Sequence, residues 1–115
     1  FKLQGGSKGF NEQMQCAILI CGDLWNYGFY EQNLPFVDGG IYAMNLLYAL
    51  HYYGVATIPL TMGHKRRITK KIKQEMHLPN HEVPVLLIGV GTFKDNYKVA
   101  VSHRYSYCEY VKLNQ

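Results

Sequence analysis

From Pro35 to Leu60 the chain reads PFVDGGIYAMNLLYALHYYGVATIPL, a long apolar stretch with the punctuation of a single helix. Proline suits a first turn, and Gly54 suits the left-handed position just past a helix end. The pattern therefore predicts a helix opening near Pro35 to Asp38 and closing at Tyr53. Projected at about 100° per residue, Ile41, Met44, Tyr48 and Tyr52 share one side, while Ala43, Leu46, Leu47 and Leu50 share the other. A helix that is apolar all round must be covered all round, and a chain of 115 residues has little material to do so. Part of this surface, including Leu46, Leu47 and Leu50, is expected to meet a second chain or another part of its own. Gly39 and Gly40 weaken the first turn by about 1 kcal/mol each relative to alanine. Close approach by another segment, or fraying, is expected there.

The flanking segments supply strands. Ala17 to Cys21, within MQCAILICGD, is a continuous apolar run of the kind covered on both faces. Val55 to Leu60 is a short strand ended by Pro59 and the TMG loop. His64 to Met76 has Ile68, Ile72 and Met76 at four-residue spacing, which predicts a second helix stopped before Pro79. Val83 to Val90 is another buried strand, with Gly89 and Gly91 leaving room at its end. Residues 1–11 read as a glycine-rich loop, and Trp25 to Leu34 as an aromatic connection whose Tyr27, Phe29 and Tyr30 pack or line a pocket. Lys94 to Gln115 is polar and then aromatic (RYSYCEYV). The chain starts at Phe1, not methionine, and is expected to be part of a longer polypeptide.

Gly39 to His64 contains no Asp, Glu, Lys or Arg, but Asn45, His51, Gly54 and Pro59 break it well short of about 20 apolar residues. No membrane span is expected. The net charge is +4, and six of the twelve basic side chains are Lys65, Arg66, Arg67, Lys70, Lys71 and Lys73. Nucleic acid, a phosphate-bearing cofactor or plain solvation would each suit such a cluster. No nucleic-acid-binding signature accompanies it, so no nucleic-acid partner is expected. Three cysteines (Cys16, Cys21, Cys108) without a CxxC point to a reducing, cytoplasmic setting. Cys16 and Cys21, an odd number of residues apart in a strand, face opposite ways. His77 and His81 flank Pro79 and Asn80 and share no helical face, so they read as turn histidines and no metal site is expected. Ser102 beside His103 is only a neighbour pair, GxSxG is absent, and GxG at Gly89 to Gly91 is too short for a dinucleotide fingerprint.

Taken in order, AILICGD, the helix DGGIYAMNLLYAL ending in Gly54, ATIPLTMG, the basic helix running into LPNHEVPVLLIGVG, and a final SHR resemble the nitroreductase family from about Cys16 to Tyr110. The resemblance implies an α+β, nitroreductase-like three-layer sandwich, a mixed sheet with helices, that is incomplete in this chain. Residues 1–115 would be the C-terminal part of a single such domain. It further implies an intertwined homodimer with FMN in an interface cleft. The loop Leu60, Thr61, Met62 and Gly63 would place a backbone N–H toward flavin N5, and Arg104 with Ser102 beside it would grip the FMN phosphate, which suits a forked guanidinium. The expected reaction is hydride transfer from NAD(P)H through flavin N5 to a nitro-aromatic, quinone or similar small electron-poor acceptor, with no side chain acting as a general base. The alternative is a non-catalytic flavin- or partner-binding protein of the same fold. Two departures stand out. Many members carry glutamate and glycine where this chain has Thr61 and Met62, and the family's N-terminal Arg/Ser-rich FMN segment has no counterpart here.

Overall fold

A computed structural model describes residues 5, 9, 11–99 and 101–111, without the side chains of Asn11 and Cys108. Most of the N-terminal loop, the last four residues of the aromatic tail and the Cys108 thiol lie outside the described residues. The elements run β1 (Cys16–Asp23), α1 (Leu34–Tyr52), β2 (Val55–Thr61), α2 (Arg66–Glu75), β3 (Glu82–Thr92) and a single turn, α3 (Tyr107–Tyr110).

The three strands form one sheet in the order β1-β3-β2. Both pairings are antiparallel, so the described sheet is not mixed: β3 runs opposite to each neighbour. Pro59 sits on β2, an edge strand, where a missing N–H costs nothing on the outer side. Pro84 is the less tolerant case, and the ladder breaks next to it. Ile20 pairs with Leu86 but Cys21 pairs with Pro84, which leaves Val85 without a partner across from β1. This β-bulge puts Val85 and Leu86, neighbours in sequence, against the same cluster.

Side chains alternate across the sheet, so each face builds its own core. On one face Ile20, Ala43 and Ile88 are buried, with Ile18, Leu46, Leu47, Val85, Leu86 and Val90 packed round them. On the other, Leu60, Met62, Ile72 and Leu87 are buried, with Leu19 and Ile68 beside them. α1 therefore covers one face and α2 the other, giving a helix–sheet–helix sandwich. Ile88 is fully enclosed, which stabilises the fold by about 1.5–3 kcal/mol relative to exposure.

Two glycines let α1 lie this close. A Cβ on Gly22 would come within 2.7 Å of the Pro35 Cβ, and one on Gly39 within 2.8 Å of Val85 Cγ1. The bulge and the first turns of α1 thus fit each other. Gly40 meets nothing within 4 Å, so close approach explains only one of the pair. At the other end Gly54 has φ of +72° and its N–H donates to the His51 carbonyl, the expected helix stop.

The side assignment of α1 needs correction. Leu46 and Leu47 pack into the chain's own core and Leu50 is half-buried, whereas Ile41, Met44, Tyr48 and Tyr52 are exposed. It is the second row that lacks a cover. α2 is shorter than its pattern: His77 takes φ of 54°, the chain turns, and Met76 ends up exposed outside the helix. No helix among the described residues is long and apolar enough to cross a membrane.

Candidate functional site

The loop that leaves β2 is fixed from below. Leu60 and Met62 are each 7% exposed and sit in the core with Ile72 and Leu87, while Thr61 and Gly63 face outward. Neither Leu60 nor Met62 can offer its side chain to a ligand. The Gly63 N–H donates to Thr61 Oγ1 at 3.1 Å, a hydroxyl turn, and the His64 N–H donates to the Met62 carbonyl at 2.8 Å. A tight, anchored turn results, presenting backbone and the Thr61 side chain. The Gly63 amide is already engaged, so a contact from this loop to a ring nitrogen falls to another amide or follows a change of hydroxyl partner.

Ser102 and Arg104 lie on a segment without regular structure, and both are exposed. Arg104 Nη1 donates to Ser102 Oγ at 2.8 Å. Residues two apart on an extended chain share a side, which is why the sequence spacing permits this contact. One guanidinium donor is spent, and the remaining fork suits a phosphate dianion. Ser102 and His103 are sequence neighbours on this extended segment, so their side chains point to opposite sides and do not form a nucleophile–base pair. The structure thus brings together Leu60 with Met62, and Ser102 with Arg104, as two separate groups.

The aromatic connection behaves unevenly. Phe29 and Tyr30 are exposed and stack edge to face with centroids 5.5 Å apart. Tyr27 is different: its hydroxyl donates to Asp38 Oδ2 at 2.9 Å, tying the connection to α1. That hydrogen bond, followed by burial and the negative charges of Asp38, Glu31 and Asp23, raises the Tyr27 pKa above its ordinary value. A cavity of about 480 Å³ opens here along the outer edge of β1, between Tyr27, Asp38 and Tyr42. Tyr27 and Asp38 are too far apart in sequence for helical or strand periodicity to link them.

Of the paired histidines, His81 lies flat against Trp25 with ring centroids 3.7 Å apart and 15° between planes. His77 forms the turn after α2. Cys16 and Cys21 are free thiols, and burial, then the Glu82 charge, pushes the Cys21 thiol up.

The family model for the nitroreductase family matches residues 2–92, which include the β2 loop but end short of Ser102 and Arg104. No curated protein sequence matches the chain. Among solved structures, an FMN-dependent nitroreductase from Clostridium difficile R20291 superposes with a TM-score of 0.73 at 19% identity, over 96% of this chain and 63% of its own. A Clostridium acetobutylicum protein named as an NADH oxidase gives 0.71 at 20% identity, over 91% and 63%. One from Bacteroides thetaiotaomicron VPI-5482, named as an NADH dehydrogenase/NAD(P)H nitroreductase, gives 0.69 at 23%, over 90% and 56%. At these identities the likeness is one of fold. The chain spans less than two thirds of the length of each.

Proposed function

Because the chain belongs to the nitroreductase family, we propose that it forms part of an FMN-dependent oxidoreductase that passes a hydride from NAD(P)H to a nitro-aromatic, quinone or similar acceptor. The observation that carries this reading is the family match across β1 to β3, and the anchored Leu60–Gly63 turn lies within the matched residues. When bound, FMN supplies hydride uptake and release. The chain's own residues bind and orient it. Arg104, steadied by Ser102, would hold the phosphate through its remaining N–H donors, and the turn at Thr61 to Gly63 would offer its backbone to the ring. None of these residues moves a proton, so no general base is assigned.

Residues 1–115 are the C-terminal part of one domain in this reading, and a second copy covers α1. Its exposed row, Ile41 (59%), Met44, Tyr48 (66%) and Tyr52, supports a homodimer. Free Cys16 and Cys21 support a reducing, cytoplasmic setting.

The test is an FMN titration of the protein and of Arg104→Ala, run beside riboflavin, which lacks the phosphate. Binding of FMN should weaken by about 1.5–3 kcal/mol, the loss of a charge-assisted hydrogen bond, with riboflavin hardly affected. An equal loss for both ligands would remove Arg104 from the phosphate. Flavin binding without NAD(P)H oxidation would favour the non-catalytic alternative, and absence of both would end the enzymatic reading.

A further inference from the structure

The outer side of α2 carries a cavity of about 590 Å³, within the range of about 300–1,000 Å³ of small-molecule sites. Arg66, Lys70 and Lys73 line it, at helical spacings of four and three, so the three cations share one face over roughly 10 Å of helix axis. The far end is closed by the chain returning from α2. Lys73 Nζ donates to the Asn80 carbonyl at 3.0 Å, and Leu78 forms an apolar wall. His64, at the end of the β2 turn, forms the near wall. No carboxylate among the described residues lines the cavity.

Two facts set this apart from an ordinary solvated lysine face. Cations stacked on successive turns repel one another and are usually interleaved with acids. α2 has no acid in its first turn, where the helix dipole already favours negative charge. Second, His64 Nε2 is shut off from solvent and has no hydrogen-bond partner among the described residues. A buried polar nitrogen without a partner costs free energy that solvation of the neighbouring lysines does nothing to recover.

We infer that this cavity binds a phosphate-bearing small molecule of nucleotide size, its phosphates meeting Arg66, Lys70 and Lys73 and its uncharged part lying toward Leu78. An incoming phosphate removes the repulsion between the three cations. It also gives the His64 ring an acceptor once the ring turns toward the cavity. Neither Ser102 nor Arg104, the proposed phosphate contacts of the flavin, lines the cavity. Nucleic acid is the poorer fit, because the charge lines a closed-ended hollow and not an extended track.

Isothermal titration with inorganic pyrophosphate, ADP and adenosine tests this. Pyrophosphate and ADP should bind with one-to-one saturation, adenosine at least tenfold more weakly. Lys70→Gln should weaken pyrophosphate binding about tenfold, the scale of one charge-assisted contact, while Lys94→Gln leaves it unchanged. The His64 ring resonances should shift on pyrophosphate addition. Lys70→Gln should leave the FMN titration intact, which separates this site from the flavin reading. Non-saturating binding, equal effects of Lys70→Gln and Lys94→Gln, an unmoved His64 ring, or tighter binding of a single-stranded oligonucleotide at about 0.15 M salt would each overturn the inference.

Discussion

α1 and α2 cover opposite faces of one sheet, and their inner sides follow the same rule: Ala43, Leu46 and Leu47 on one, Ile68 and Ile72 on the other, each packed on its own cluster. Their outer sides differ. α1 turns Ile41, Met44, Tyr48 and Tyr52 outward, whereas α2 turns out Arg66, Lys70 and Lys71. Scattered exposed apolar residues are ordinary, but a row on successive turns is a surface awaiting a cover. The inner side of a helix is thus set by the sheet it meets, and the outer side reports what comes next: apolar matter for α1, water and anions for α2.

The largest effect expected from this contrast is on the inner sides. Leu47→Glu and Ile72→Glu should each destabilise the fold by about 3 kcal/mol, losing apolar burial and placing a charge against the core. Tyr48→Glu and Lys71→Glu, on the outer sides, should stay within about 0.5 kcal/mol in urea unfolding under conditions where the protein is monomeric. Sedimentation then separates the outer pair, because Tyr48→Glu should abolish self-association and Lys71→Glu should not. If Tyr48→Glu unfolds the protein as Leu47→Glu does, the outer row of α1 is part of the core and the contrast is broken.

The adjacent glycines give a finer version. Gly39→Ala forces a methyl against Val85 and should cost about 1–3 kcal/mol, as overpacking does. Gly40→Ala meets open space and should stabilise α1 by about 0.5–1 kcal/mol through the better helix propensity of alanine. Thermal melts of the two variants should move in opposite directions.

The smallest effect is a pH dependence. Cys21 keeps its proton longer folded than unfolded, because burial raises its pKa above the ordinary 9.0. Its contribution to stability is therefore complete below pH 9.0 and is lost as pH rises through the raised value. Unfolding measured between about pH 8 and pH 11 should show a decline that Cys21→Ala reduces. An unchanged slope in the variant would place the titrating group elsewhere, with Tyr27 the next candidate.

Much of this fold is local information and could be read directly. The strand ending at Asp23, the Gly54 stop of α1 and the spacing of Ile68 and Ile72 all depend on neighbours in the chain. What could not be read depends on pairing at a distance. Nothing in VPVLLIGVG says that β3 runs between β1 and β2, or that Val85 bulges toward Gly39. The two rows of α1 were separable by angle, yet both are apolar, so their inner and outer sides could not be told apart until the sheet was in place. The site was legible to a similar depth. Ser102 and Arg104 came together through the family resemblance, but burial of the Leu60 and Met62 side chains, the engaged Gly63 amide and the enclosed His64 nitrogen are properties of packing. The basic residues of α2 were conspicuous as charge, and only the return of the chain through Asn80 makes a hollow of them.

The central place of β3 also sets an order of events. Among the described residues β1 and β2 pair only with β3, so Cys16 must wait for Val90 and Val55 for Thr92. During synthesis at about 5–20 residues per second, β1 spends several seconds without a strand partner while the helix and strand after it emerge. Long-range pairings of this kind make folding slow, because loop-closure entropy is spent before any contact returns it. Until β3 arrives, Ala17 to Cys21 is an apolar strand without the only partner it has among the described residues. In this interval, more than in the finished fold, the chain is open to mispairing with its own copies or dependent on a chaperone.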